Sequence, residues 1–276
     1  MRFMKLFINN IDSIAIGKFD GIHLGHQKLF SKLEKNGAIV IIDKERDRYL
    51  LPKQYFSRYT DIPIFRYLLT DIRELNGKEF IKKLEIDFPD LKEVIVGYDF
   101  KFGNGRNCSI QELKKYSNFK ITVIDEVKSG NISIHSGEII RRLKSGEIEL
   151  ANRFLGRQFS IIGKHIKGQG VGKRSLVPTI NIDCSEFISP KNGVYLTETV
   201  LKSGTYKSIS FLGVRETTDN KFSLETYILD RECKDIDFGE VKTRFIKYIR
   251  DNKKFQNLES LKNQILEDIK IANSYL

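Results

Sequence analysis

Ten residues near the amino terminus, Gly17-Lys18-Phe19-Asp20-Gly21-Ile22-His23-Leu24-Gly25-His26, set two imidazoles three positions apart inside a glycine-bracketed turn. Gly21 and Gly25 let backbone turn tightly and approach a ligand closely. The turn follows a strand-like run and leads into a helical one, so His26 is expected at a helix N-terminus. Free N–H groups and the helix dipole favour phosphate there. His23 and His26 can then face the same phosphates and stabilise charge as pyrophosphate departs. The chain has only four histidines, and two fall in this junction. A plain turn with surface histidines is the poorer account.

The elements that must position these residues are legible in the first half. Ser13–Ile16, Ala38–Ile42, Glu93–Val96 and Lys120–Ile124 are short runs rich in Ile and Val, consistent with buried strands. Helical patterns lie between them at His26–Lys35, Gly77–Leu84 and Ser109–Tyr116. Such alternation predicts a parallel α/β sheet with ligands at the carboxyl ends of its strands. Ile139–Leu155 has helical period but breaks at Ser145-Gly146, which predicts a helix pair leading out of this domain.

From Phe159 the pattern changes. Ser160–His165, Gly193–Leu201, Lys207–Val214 and Lys221–Leu229 are strand-like, separated by turns containing Gly, Pro and Asn. No helix is expected until the carboxyl terminus, so this half reads as an antiparallel barrel or sandwich. An amphipathic helix closes the chain, with Asn257 as N-cap and Leu258, Leu261, Ile265, Ile269 and Ala272 on one face. The boundary is expected near residue 155, giving domains 1–155 and 156–276.

Composition narrows the class. The chain has 276 residues, 40% hydrophobic and 30% charged, enough for two ordinary globular domains. No apolar run approaches the roughly 20 residues needed to cross a bilayer, and the start is too quickly polar for a secretory signal, so a cytoplasmic protein with no membrane partner is expected. Cys108, Cys184 and Cys233 are scattered, with neither disulfide nor zinc spacing. The net charge of +11 is spread along the chain without a basic tail, so no nucleic-acid partner is inferred from it. An enzyme that handles phosphate compounds would also carry surplus positive charge.

The segment Gly17 to Gln27 resembles the GxFDGxHxGH motif of the bacterial FAD synthetases, members of the HxGH nucleotidyltransferase superfamily. Val96-Gly97-Tyr98-Asp99-Phe100-Lys101-Phe102-Gly103, with Arg106, resembles that family's VGxDFxFG segment; alone it would read as a strand and a glycine-rich turn. The resemblance implies a Rossmann-like domain in which Gly17, Phe19, Asp20, Gly25 and the catalytic His23 and His26 bind ATP. It further implies that Asp99, Phe102 and Arg106 border the flavin. The reaction would be in-line attack of the FMN phosphate on the α-phosphorus of ATP, aided by Mg²⁺. Two stretches depart from the family. Its TFxPHP segment is replaced by Ile41-Ile42-Asp43-Lys44-Glu45-Arg46, and the arginine of its SSTxIR motif by Ile140, with Arg141 as a substitute ATP ligand one residue on.

The second half is similar to bacterial riboflavin kinases over nearly its whole length. Gly163, Gly168, Gly172-Lys173 and Pro178-Thr179-Ile180-Asn181 match a GxV…G…GR…PTAN stretch, and Ser189 to Tyr195 a P…GVY turn. By that resemblance Gly168 and Lys173 contact ATP, while Thr179 and Asn181 hold Mg²⁺ through hard oxygen ligands. Glu225, in Leu224-Glu225-Thr226-Tyr227, becomes the catalytic base for the ribityl hydroxyl. Without these neighbours it would be an outward glutamate on an alternating strand. Arg250 and Phe255 match the segment beside the flavin. With no tryptophan but 19 phenylalanines and 11 tyrosines, the chain must stack flavin on those rings. The resemblance thus implies an N-terminal Rossmann-like parallel-sheet domain and a C-terminal antiparallel β-barrel closed by a helix. The substrates would be riboflavin, FMN and ATP. The alternative is a riboflavin kinase with a weak or inactive adenylyltransferase domain.

Overall fold

In the computed structural model of the chain, the described residues are 10–166, 179–214, 222–229 and 239–275. They fall into two compact units, Met1–Ser136 and Gly137–Leu276.

The first unit is built on five parallel strands: β1 (Ser13–Gly17), β2 (Gly37–Asp43), β3 (Ile64–Leu68), β4 (Glu93–Gly97) and β5 (Lys120–Ile124), in the order β3-β2-β1-β4-β5. Period-2 alternation splits the central strands between two cores. Ile14, Ile16, Val40, Val94 and Val96 face one cluster with Phe80 and Leu84 of the α-helix Gly77–Asp87 and its C-cap Phe88. Ala15, Ile39, Ile41 and Ile95 face the other, with Phe19, Ile22, Leu29 and Phe30. Burial on both faces explains why these strands read as continuous apolar runs. The order reverses between β1 and β4, which makes the crevice beyond their carboxyl ends the expected ligand position. The helix after β1 is shorter than its sequence pattern suggested, Leu24–Phe30, with turns filling the stretch to β2. β3 escaped sequence reading because every residue in it is only partly buried or exposed, which blurs the apolar run.

Helices Ser136–Ser145 and Ile148–Leu155 open the second unit, broken at Gly146, whose φ is +85°. They dock on the barrel through Asn152, whose side chain donates to the Phe245 carbonyl at 2.9 Å and accepts from the Phe159 N–H at 2.6 Å. A two-stranded antiparallel ribbon, β6 (Lys128–Ser129) and β7 (Ile132–Ser133), ends the first unit's strands, and the barrel contains β8 (Ser160–Ile166), β9 (Ile180–Ile182), β10 (Gly193–Leu201), β11 (Gly204–Val214), β12 (Phe222–Ile228) and β13 (Glu240–Arg250). It closes in the order β10-β11-β12-β9-β8-β13, every pairing antiparallel, which settles barrel over sandwich. Sequence reading named neither β9, which is only three residues long, nor β13, for which the alternation of buried Val241, Thr243 and Phe245 was the available signal. The terminal helix, Leu258–Ser274, is capped by Asn257, whose Oδ1 accepts from the Ser260 N–H at 2.9 Å. Ile269 and Ala272 of that helix lie on the outer barrel wall with Val194, Leu196 and Phe211.

The interior between β10, β11 and β12 is polar. Thr197, Thr199, Ser208, Ser210 and Thr226 are fully buried and joined by hydroxyl hydrogen bonds of 2.7–2.9 Å. Because each hydroxyl has a partner, their burial avoids the penalty of lost hydration.

Closure depends on a glycine in β8. A Cβ at Gly163 would lie 1.8 Å from the Asp183 carbonyl oxygen, a backbone atom that cannot swing away. Gly163→Ala is therefore expected to destabilise the second unit by about 3 kcal/mol through overpacking, read as a lowered unfolding midpoint. An unchanged midpoint would contradict this packing.

Candidate functional site

The turn after β1 is conformationally costly. Among the described residues, the non-glycine positions with positive φ are Phe19 (52°), Ile22 (42°) and Arg106 (60°), and all lie at the carboxyl ends of β1 and β4. Gly21, at φ +88°, occupies the same region without the Cβ clash. Such conformations persist where surrounding structure over-determines them, typically at functional sites. Here Phe19 is buried, its ring edge-on to Phe30 at 4.9 Å and to His26 at 5.2 Å. Gln27 donates to the Ile22 carbonyl at 3.0 Å, and Ser136 Oγ to the Asp20 carbonyl at 2.8 Å.

The two histidines are brought together as expected. His23 is the N-cap of the short helix and His26 its third residue, with their rings stacked at 3.5 Å. Gly25 permits this, because a Cβ there would sit 3.1 Å from the His23 ring. Gly17 likewise leaves room for the Phe19 ring, 3.0 Å from its missing Cβ.

Asp20, which the resemblance implies lies close to the ATP phosphates, is held by the backbone of the loop after β2. It is buried, and its Oδ1 accepts from the N–H groups of Leu50 (3.0 Å) and Leu51 (3.3 Å). Burial pushes its carboxyl above the usual range, against the lowering effects of the Leu51 and Leu50 N–H groups, Lys53 and Arg46. Asp20 thus ties the strand-turn-helix junction to the loop that follows β2.

Among the residues expected beside flavin, Asp99 and Arg106 are exposed beyond β4. Phe102 is 4% exposed and belongs to the core, with its ring near Phe80 and Phe100. It shapes that wall from behind, and reciprocal 3.0 Å backbone bonds with Cys108 pin the turn. Arg141, in the second unit, forks onto Glu138 at 2.7 and 2.9 Å. Arg141 and Arg142 together hold the Glu138 carboxyl down to about 2.

On the barrel, Phe211, Glu225 and Asn181 face one another across β11, β12 and β9. Directly opposed residues share a sheet face, here the outer wall on which Phe211 meets the terminal helix. Thr179, two residues before Asn181, has the same parity and is half-buried. Ser223 donates to Glu225 Oε1 at 3.3 Å. Asn181 is buried, and its Oδ1 has no hydrogen-bond partner among the described residues. A buried hard oxygen left unsatisfied beside a carboxylate fits a Mg²⁺ ligand set.

Arg250, at the end of β13, donates from Nε and Nη2 to Asp268 at 2.8 and 2.7 Å, and Gln264 supports the same carboxylate. This mostly buried pair latches the terminal helix to the barrel. Phe255 is half-buried in the segment between them. Gly168 and Lys173 lie outside the described residues. Sequence reasoning passed over Lys53, Asp43 and Arg66, which also gather at the first site. Asp43 ends β2 at the stretch that departs from TFxPHP, pairing of β2 with β3 brings Arg66 to it, and the loop after β2 brings in Lys53.

The comparisons follow this division. The FAD synthetase family model matches residues 8–42 and 60–138, and the riboflavin kinase model residues 155–276. The bifunctional riboflavin kinase/FMN adenylyltransferase of Buchnera aphidicola from Acyrthosiphon pisum is 35% identical, over 97% of this chain and 94% of its own. The chain belongs to the bifunctional riboflavin kinase/FAD synthetase family. Its Escherichia coli K12 relative of the same description is 27% identical over 95% of this chain and 92% of its own. A solved structure described as a macrolide-efflux protein from Streptococcus pneumoniae has the same fold, with a TM-score of 0.82 at 22% identity, covering 95% of this chain and 94% of that one.

Asp20 offers a stability test. Asp20→Ala leaves two buried N–H groups without their acceptor and is expected to cost about 1–3 kcal/mol. Asp20→Asn keeps an acceptor while removing a poorly solvated charge, so it should unfold near the parent midpoint. Equal losses in both would show that the charge, not the acceptor, holds the loop.

Proposed function

We propose that the chain phosphorylates riboflavin to FMN on its barrel and adenylylates FMN to FAD on its parallel-sheet domain, with ATP as co-substrate in both steps. In this reading residues 1–155 are the adenylyl-transfer domain and 156–276 the kinase domain, in the cytoplasm where ATP is available. The observation that supports it most is the Glu225–Asn181 pairing on one barrel wall, a carboxylate beside an unsatisfied buried amide oxygen.

In the kinase step, Glu225 accepts the proton of the ribityl hydroxyl as that oxygen attacks the γ-phosphorus and ADP leaves. Thr179 Oγ1 and Asn181 Oδ1 would hold Mg²⁺, which neutralises phosphate charge when bound. Lys173 and Gly168 are assigned to ATP, and Phe255 to the flavin. Arg250 positions that segment through its grip on Asp268.

In the adenylyl step, an FMN phosphate oxygen attacks the α-phosphorus and pyrophosphate departs. His23 and His26, held by the turn containing Gly17, Phe19, Asp20 and Gly25, stabilise the leaving charge. Asp99 and Arg106 are assigned to the flavin side, with Phe102 supporting them. Arg141 is assigned to ATP. Its bidentate pairing with Glu138 favours a second reading, in which adenylyl transfer is slow because this guanidinium is already engaged.

Purified protein incubated with riboflavin, ATP and Mg²⁺ should yield FMN and FAD on chromatography. FMN without FAD, even when FMN is supplied, would leave the kinase alone. Glu225→Gln should lower FMN formation at least about 100-fold while riboflavin still binds, and full kinase activity in that variant would remove Glu225 as the base.

A further inference from the structure

The loop after β2 forms a cationic pocket that no motif accounts for. Lys18, Lys44, Arg46 and Lys53 line it against two carboxylates, Asp20 and Asp43. One oxygen of each carboxylate is engaged: Asp43 Oδ2 pairs with Arg66, and Asp20 Oδ1 accepts the Leu50 and Leu51 N–H groups, while Asp43 Oδ1 and Asp20 Oδ2 are buried without a hydrogen-bond partner among the described residues. Arg46 stands 3.9 Å from Asp20 Oδ2. Lys53 is held in place, with its ammonium donating to the Lys18 carbonyl at 3.1 Å and lying over the Phe56 and Tyr49 rings at 4.8 and 5.3 Å. Lys18 has cations on several sides. Burial first, then Arg106, Arg46 and Lys44, lower its affinity for a proton, and Asp99 only partly opposes them. Like charges gathered at the carboxyl ends of β1 and β2 raise the energy of the empty pocket and favour an anion in it.

We propose that Lys18, Lys44, Arg46 and Lys53 bind the phosphate oxyanions of a nucleotide substrate in the adenylyl-transfer site. Three of the four lie in residues 43–59, the stretch between the matched segments of the FAD synthetase model. The fourth, Lys18, occupies a position that the GxFDGxHxGH pattern leaves open. The pocket's ligand chemistry is a phosphomonoester or a polyphosphate, supplied by FMN or by ATP. The inference rests on the adenylyl-transfer reading above.

The test uses the full chain with Lys44→Ala/Arg46→Ala, two exposed positions whose loss leaves both cores intact, and separately Lys18→Ala. Circular dichroism and the thermal unfolding profile of the same preparations report on folding of the first unit. A KM for FMN raised about tenfold or more, with that for ATP unchanged, identifies the FMN phosphate as occupant; the reverse identifies the triphosphate. In either case the effect should shrink as salt rises. Both KM values within twofold of the parent overturn the inference while leaving FAD formation standing. Should the parent make no FAD, the proposed function fails and equilibrium dialysis with inorganic tripolyphosphate decides. One fewer bound equivalent per chain in the double variant supports the pocket, and equal stoichiometry overturns it.

Discussion

The first unit depends on a reversal that must be completed within a few residues. β1 is buried on both faces, so the chain leaving it has to turn back over the sheet before its next polar groups are stranded. It does so by putting Phe19, Gly21 and Ile22 at positive φ, of which the non-glycine positions cost on the order of 1–3 kcal/mol each. Buried aromatic packing of Phe19 and the side-chain bonds from Gln27 and Ser136 offset that cost. The outcome is a junction in which His23 occupies the N-cap position of a helix and the His26 ring stacks on its imidazole.

Asp20 couples this junction to the loop beyond β2. Its acceptor oxygen is committed to backbone, so its value to the site is positional, and its second oxygen gives Arg46 an electrostatic reason to stay. The same loop brings in Lys44 and Lys53, adding cations to a crevice already defined by the strand order. Fold strain and charge therefore converge at one end of the sheet.

The barrel solves a different problem. Its interior beside the site is a closed hydroxyl network, while the outer wall presents Phe211, Glu225 and Asn181 in register. Residues of adjacent number on β12 thus serve opposite purposes: Thr226 completes the interior, and Glu225 faces out. The terminal helix, clasped by the Arg250–Asp268 fork, covers part of the same outer surface.

Much of this was legible in order along the chain. The glycine-bracketed histidine pair, four of the five parallel strands, the Asn257 cap and the alternation placing Glu225 on a strand face all follow from local rules of backbone freedom and side-chain period. Asp20 and Asp43 show where local rules stop. Nothing within a few residues of Asp20 reveals that Leu50 and Leu51 will donate to it, or that Arg66 will reach Asp43 from the next strand. β3, β9 and β13 were missed for related reasons, since their place is set by pairing with distant strands. The sequence by itself determined which chemistry-bearing residues were available and the period on which each would be displayed. Tertiary structure alone decided which became partners, because burial, strand register and the meeting of charges depend on chain segments that are remote in sequence.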